Sequence, residues 1–347
     1  MLRKFDKNQN KLMEMLEEKS RKTLLRFRQE SVKGFNYPKL VSMVEDVNAY
    51  WRDVQRPALT FLSCEAVGGD PLRAVDASLM ITLAAAGMGI HDDIIDKSEN
   101  KHFRETILGR YGLDNALLVG DLLIIKGLSY SMRFLSQEPS IEKREAVLEA
   151  LQNFIFEIYE GELMDILCRK NLDTDLDDYC NIMWKLTSDG EACARIGAIL
   201  GGGSEKEIEA IAQFGKRLGF VIHLAEELKD SFNIEGGLPH RLEYESIPLP
   251  ILYAAKSSKK TYAEIKSIIQ NSPTADLVTN LMELCWKTKS VSYVYNLSRK
   301  NAGEAFKQLN SIKPSPARSA LALMMRVPIS QIQYERGIEN RFLRLCP

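Results

Sequence analysis

The chain has 347 residues, and its 46 Lys and Arg nearly balance 47 Asp and Glu. The resulting net charge of −1 gives no basic field for nucleic acid. The amino-terminal stretch is charged and amphipathic with no signal core, and no uncharged run reaches the roughly 18–20 residues of a membrane span.

Helical periodicity organises the chain from its start. Residues 1–38 read as an N-terminal helical extension and residues 39–347 as a bundle, together one domain. Apolar spacing at three and four predicts helices over Leu40–Tyr50, Ala58–Ala66, Asp114–Leu135, Ile141–Lys170, Asp177–Leu200 and Glu205–Asp230. Further helices follow at Leu249–Ala255, Thr261–Gln270, Ala275–Ser298 and Ala302–Leu309. Turn signals such as Gly68-Gly69-Asp70-Pro71, Gly201-Gly202-Gly203-Ser204 and Gly236-Gly237-Leu238-Pro239 separate them. No strand pattern and no long linker interrupts them, so the expected class is all-α, a single large helical bundle. Cys64, Cys168, Cys180, Cys193, Cys285 and Cys346 are scattered without metal-like spacing, which suits reduced thiols and a cytoplasmic chain.

Two acidic clusters stand out. The stretch Met80–Ile90 carries no charge and runs directly into His91, Asp92, Asp93 and Asp96. Such a helix is buried on nearly all sides, and Asp92 and Asp96, four apart, leave it on one face. Carboxylates at the end of a buried helix repel one another and resist desolvation, which a divalent cation relieves. The plainer alternative is a helix emerging into solvent with surface acids. Glu226, Glu227 and Asp230 repeat the same spacing after another apolar helix, which favours a pair of Mg²⁺ clamps for a diphosphate.

With both clusters in view, the chain from about Met43 to Arg326 resembles the trans-isoprenyl diphosphate synthases, or polyprenyl synthetases. Asp92-Asp93-Ile94-Ile95-Asp96 is similar to that family's first aspartate-rich motif, and Gly219–Asp230 to the helix of its second. Gly120-Asp121-Leu122-Leu123 resembles its GDxLL helix start, and Gly161-Glu162-Leu163-Met164-Asp165 its GQxxD. Arg56-Pro57 with Glu65–Asp70 resembles the opening RP…EAxGGD. The resemblance implies a bundle of the isoprenoid synthase type around a deep central cavity, and a homodimer. It implies an allylic prenyl diphosphate substrate, ionised on three Mg²⁺ ions. Asp92, Asp96 and Glu226 would be direct metal ligands, with Asp93, Glu227 and Asp230 in support. Lys185, Lys101, Arg56 and His223 would face diphosphate groups, though a hydrogen-bonded helix histidine is the alternative for His223.

Departures from the family pattern cluster on the isopentenyl diphosphate side. Asp53 stands where the family has a lysine, Ala85 where it has a histidine, and Lys101-His102 where it has two arginines. Glu245-Ser246-Ile247-Pro248-Leu249-Pro250 lacks the lysine of the later GKxTLP segment. The half that ionises the allylic substrate is kept and the half that delivers isopentenyl diphosphate is eroded. The reading placed first is therefore a terpene synthase-like enzyme acting on one substrate. The alternatives are a trans-prenyltransferase, elongating or using another acceptor, and a non-catalytic subunit of a heteromeric synthase. Ala84, Gly87 and Met88 precede the first aspartates, where a floor of small residues would leave room for twenty carbons or more; close helix packing is the alternative for them. His240-Arg241 reads as an exposed loop pair, with a lid as the alternative.

Overall fold

A computed structural model describes residues 7–101, 104–234, 236–270 and 275–345; His102 and Cys346 fall outside them. The described residues form sixteen α-helices and one short hairpin, so the expected all-α class holds. The helices are α1 Lys7–Val32, α2 Pro38–Tyr50, α3 Gln55–Ala66, α4 Ala74–Ile95, α5 Ile107–Tyr111, α6 Leu113–Gln137, α7 Ile141–Leu167 and α8 Leu176–Leu186. They continue as α9 Ser188–Gly201, α10 Glu205–Ser231, α11 Leu238–Tyr244, α12 Leu249–Ala255, α13 Lys259–Gln270, α14 Ala275–Lys287, α15 Ser290–Leu309 and α16 Pro316–Leu345. The hairpin pairs β1 Asn100–Lys101 with β2 Arg104–Glu105, antiparallel.

The chain divides into two compact units. The first holds Met1–Asn153, Asp189–Gly215 and Gln308–Leu323, and the second holds Phe154–Ser188, Lys216–Lys307 and Met324–Pro347. Long helices such as α7 and α10 contribute residues to both.

In the first unit, α4 is the central helix. The run Pro71–Ile95 is long and apolar enough to cross a membrane, but 78% of its apolar window is buried within the protein. Its hydropathy is that of a core helix. The helix α1 lays a stripe of Leu12, Leu16, Ser20, Thr23, Phe27 and Ser31 inward, spaced at three and four as one helical face requires. Polar ties fix that face: Thr23 and Ser78 hydroxyls meet at 2.6 Å, Lys19 binds Glu65 at 2.8 Å, and Arg26 pairs with Asp76.

Packing of α4 on α6 depends on missing side chains. A Cβ on Gly87 would stand 2.4 Å from the Gly120 carbonyl oxygen and 2.8 Å from Ile124. Two turns on, a Cβ on Gly127 would stand 2.9 Å from both the Ala84 nitrogen and the Met80 oxygen. At Gly87 the missing side chain lets two backbones approach, which is the close-packing alternative named for these residues. Met88, the next residue, is half-buried.

Helix prediction overran at two places. The stretch read as one helix over Asp177–Leu200 breaks at Thr187, whose hydroxyl donates to the Trp184 carbonyl at 2.9 Å. The stretch Ala275–Ser298 breaks after Lys287, with Lys289 at φ 63°. The thirty-residue α16 went unpredicted behind the Pro314-Ser315-Pro316 signal. Its buried Glu339 accepts from the Val291 and Ser292 backbone N–H groups at 2.9 and 3.0 Å. The carboxylate so caps the start of α15, where free N–H groups and the helix dipole favour negative charge.

Replacing Gly87 by Ala should cost about 1–3 kcal/mol in urea unfolding, as overpacking against an unyielding backbone does. Replacing Gly303, an exposed α15 glycine with nothing within 4 Å of an added Cβ, should instead gain up to about 1 kcal/mol.

Candidate diphosphate and metal site

In the first unit the apolar run of α4 ends on its acidic cluster. Asp93 turns inward and is buried, while Asp92 and Asp96 are half-exposed. The helix then closes with a reversed pair of hydrogen bonds: Ser98 N–H reaches back to the Asp93 carbonyl at 2.8 Å and Lys97 N–H to Ile94 at 3.2 Å. Lys97 takes φ 55°, the left-handed conformation such a closure requires. The chain doubles back through β1 and delivers Lys101, whose ammonium lies 2.9 Å from Asp92 Oδ2 and 2.8 Å from Asp93 Oδ1. Burial raises the Asp93 carboxyl above its ordinary range, and Lys101 offsets only part of that. Burial works against the Lys101 charge too, yet Asp92 and Asp93 hold it above its ordinary value. Across the hairpin, Arg104 lies 3.4 Å over the Tyr50 ring. On the far side of α4, His91 Nε2 lies 3.3 Å from Asp121, the acid of Gly120-Asp121.

In the second unit the end of α10 repeats the pattern. Glu227, the middle acid, is buried, and Glu226 is exposed beside Lys229 at 2.7 Å. Ile234 N–H reaches back to the Lys229 carbonyl at 3.0 Å and Asn233 N–H to Asp230 at 2.9 Å, with Asn233 at φ 49°. The returning segment delivers Arg241, which the sequence reading placed as an exposed loop residue. Its guanidinium is instead only 12% exposed. It bonds Glu227 at 2.5 Å, the Tyr179 hydroxyl at 3.0 Å and the Ser246 carbonyl at 3.3 Å, and also pairs with Asp230. Leu249 N–H, at 2.6 Å, and the Tyr179 hydroxyl, at 3.3 Å, complete the shell of Glu227. The expected supporting acids Glu227 and Asp230 are therefore brought together, but around an arginine.

Other expected residues are engaged within their own units. Arg56 is held between Asp189 at 2.7 Å and Asp53 at 3.2 Å, so the residue that replaces a family lysine occupies part of the fork. Lys185 pairs with Glu160 at 2.8 Å, and His223 is half-buried on α10. Among aromatic residues of the second unit, Trp184 meets Phe220 edge-on at 5.5 Å and Phe154 is buried, while Phe156 and Tyr159 are exposed. Sequence reasoning missed Arg241 and Tyr179. The signal that pointed to them is physical: a buried acid at Glu227 demands a cation, and Arg241 is a basic residue on the returning chain.

The two clusters differ in their fitness for a metal. Among the described residues, no three His, Cys, Asp or Glu side chains form a ready cage. Mg²⁺ needs no such cage, since it keeps waters and binds one or two carboxylates plus substrate phosphates. Asp92 and Asp93 already accept a positive charge from the chain itself, and Asp92 is 40% exposed. Hard oxygen donors holding a displaceable ammonium fit a divalent cation. Glu227, buried and bonded to a guanidinium, does not, while Asp230 gives one oxygen to Arg241 and is 41% exposed.

A model of the polyprenyl synthetase family matches residues 54–285. The chain is 28% identical over 275 residues to a short chain isoprenyl diphosphate synthase of Methanothermobacter thermautotrophicus, covering 78% of this chain and 83% of that protein. It is 22% identical over 283 residues to the octaprenyl diphosphate synthase of Escherichia coli, covering 80% and 85%. In fold it is similar to the crystal structure of a geranylgeranyl pyrophosphate synthetase from Pyrococcus horikoshii, with TM-score 0.80 and 23% identity over 92% of this chain and 98% of that one.

Replacing Lys101 by Gln should destabilise the metal-free protein by about 1–3 kcal/mol, because Asp93 loses its partner. Added Mg²⁺ should then raise the melting temperature more in the variant than in the parent, since the ion no longer competes with an ammonium. An equal or smaller rise would show that Asp92 and Asp93 do not take the ion.

Proposed function

The chain belongs to the polyprenyl synthetase family, and from that premise we propose that it is a trans-prenyltransferase that extends an allylic prenyl diphosphate. The observation that carries this reading is the Asp92–Asp93–Asp96 cluster at the end of a buried helix, with the Lys101 ammonium on Asp92 and Asp93. The relatives named above are chain-elongating synthases, so transfer to an acceptor takes precedence over the terpene synthase-like reading that the motif departures favoured. In the reaction the allylic C–O bond breaks, the diphosphate leaves, the acceptor's double bond attacks the carbocation, and a proton is lost.

Asp92 and Asp96 are proposed as ligands of Mg²⁺, with Asp93 held in place by burial and charge. A divalent cation bound there would supply neutralisation of the departing diphosphate. Lys101, freed from its carboxylates, would turn its ammonium to the diphosphate oxygens as a mobile point charge. Glu226, the exposed carboxylate of the second cluster, and Lys185 are further proposed contacts for metal and diphosphate. Ala84, Gly87 and Met88 are further proposed as lining for the prenyl chain, although Gly87 also spends its small size on α6.

One observation favours a second reading. Arg56 is flanked by Asp53 and Asp189, and a fork filled by two carboxylates is a poor receptor for an anionic acceptor. Ionisation of a single substrate, or transfer to an acceptor without a diphosphate, needs no free Arg56. For assembly we propose a homodimer. The support is an apolar stripe on α6, with Leu117, Leu118, Ile125 and Met132 exposed, of a kind that monomers rarely leave uncovered.

Purified protein with Mg²⁺ and ten-, fifteen- or twenty-carbon allylic diphosphates should yield longer diphosphates when isopentenyl diphosphate is added. Hydrocarbons or alcohols without elongation would favour the single-substrate reading instead. Asp92→Asn should lower kcat by about 10²-fold or more, of the order lost with one electrostatic stabiliser of the transition state. Light scattering should give twice the chain mass, and Leu118→Glu with Met132→Glu should halve it; a monomeric parent would exclude the dimer.

A further inference from the structure

The two acidic clusters are alike in sequence and unlike in what neutralises them. In each, the middle acid is buried, the helix closes on a left-handed residue, and the returning chain brings one basic side chain to the carboxylates. Lys101 reaches Asp92 and Asp93 as a compact ammonium on a flexible stem and is 34% exposed. It can withdraw to water along its own stem when a stronger cation arrives.

Arg241 has no such freedom. Its Nε–H is spent on the Ser246 carbonyl, its Nη1 on Asp230, and its Nη2 on Glu227 and the Tyr179 hydroxyl. Withdrawing it would leave Glu227 buried with only the Leu249 N–H and Tyr179, a cost of several kcal/mol for an uncompensated buried charge. The same bonds pin the returning chain: Glu227 takes Leu249 N–H at 2.6 Å, Tyr179 meets the Ser246 hydroxyl at 3.2 Å, and Leu238 N–H caps on Asn233 at 3.0 Å. The returning chain is tied to α10 both by this guanidinium and by the Leu249 N–H.

We infer that Arg241 is the resident cation of the Glu226–Asp230 cluster, a positioning residue that takes Glu227 out of metal binding and engages one oxygen of Asp230. The cluster then offers a divalent ion Glu226 and the exposed side of Asp230, without the buried carboxylate between them. The tight metal sites of the chain, counted without substrate, reside on Asp92 and its neighbours. This inference is independent of the prenyl transfer proposed above, because metal counting needs no reaction.

The test is a titration of the intact, substrate-free protein with Mn²⁺, free ion being read by electron paramagnetic resonance. Asp92→Asn should lose tight Mn²⁺ binding, with the dissociation constant rising at least tenfold. Glu227→Gln, nearly isosteric and able to keep the Leu249 bond, should leave the count and affinity of the parent unchanged. Arg241→Gln should gain one further Mn²⁺ per chain, and Arg241→Lys, which restores a positive charge, should return the count to that of the parent. Should Arg241→Gln fail to fold by circular dichroism, Glu227→Gln alone decides. Loss of a bound Mn²⁺ in Glu227→Gln, or a folded Arg241→Gln with no added ion, would overturn the inference. An inactive parent that still shows this pattern would refute prenyl transfer and leave Arg241 in its role.

Discussion

A carboxylate buried at the end of an apolar helix has to be met by positive charge, and much of this protein's local architecture answers that demand. Asp93 and Glu227 each sit one residue into an acidic cluster and turn inward where water does not reach. Leaving either unpaired would cost several kcal/mol, more than most single contacts return. Both helices end in the same pair of reversed backbone hydrogen bonds, with Lys97 and Asn233 in the left-handed region. For lysine that conformation costs about 1–2 kcal/mol, which the recovered ion pairs at Asp92 and Asp93 offset. The turn is what sends the chain back toward its own carboxylates.

From this shared plan come two different chemistries. An ammonium with its stem in partial contact with water is an exchangeable counterion, suited to a site that trades one cation for another. A guanidinium wedged among a glutamate, an aspartate, a tyrosine and a backbone carbonyl is a structural fixture. The contrast extends to Arg56, whose two carboxylate partners likewise convert a free anion receptor into an internal pair. Arg241 and Arg56 act as fasteners for their acids, and the lysine on Asp92 and Asp93 is proposed as the movable part.

Much of this was legible in the amino-acid order. The period of the apolar residues announced the helices, and the i, i+1, i+4 spacing located both clusters, because these signals act within one helix turn. Breaks at Thr187 and Lys289 were not legible, since neither is glycine or proline and the apolar spacing continues across them. The helix α16 hid behind a proline-rich start that marks the first turn of a helix as readily as the end of one. Arg241 escaped for a different reason. Its meaning lies eleven residues from Asp230, across a reversal whose geometry no side-chain period encodes. Ala84 and Gly87 were read either for the space they leave or for close packing; a Cβ on Gly87 would meet the Gly120 carbonyl of α6, a contact no side-chain period encodes.

The most direct measurement is anomalous scattering from crystals soaked in Mn²⁺. The account predicts a manganese peak at Asp92, with the Lys101 ammonium displaced from Asp92 and Asp93. It also predicts Arg241 still bonded to Glu227 and Asp230, with no manganese on Glu227. A peak coordinated by Glu227, with Arg241 swung away, would contradict it.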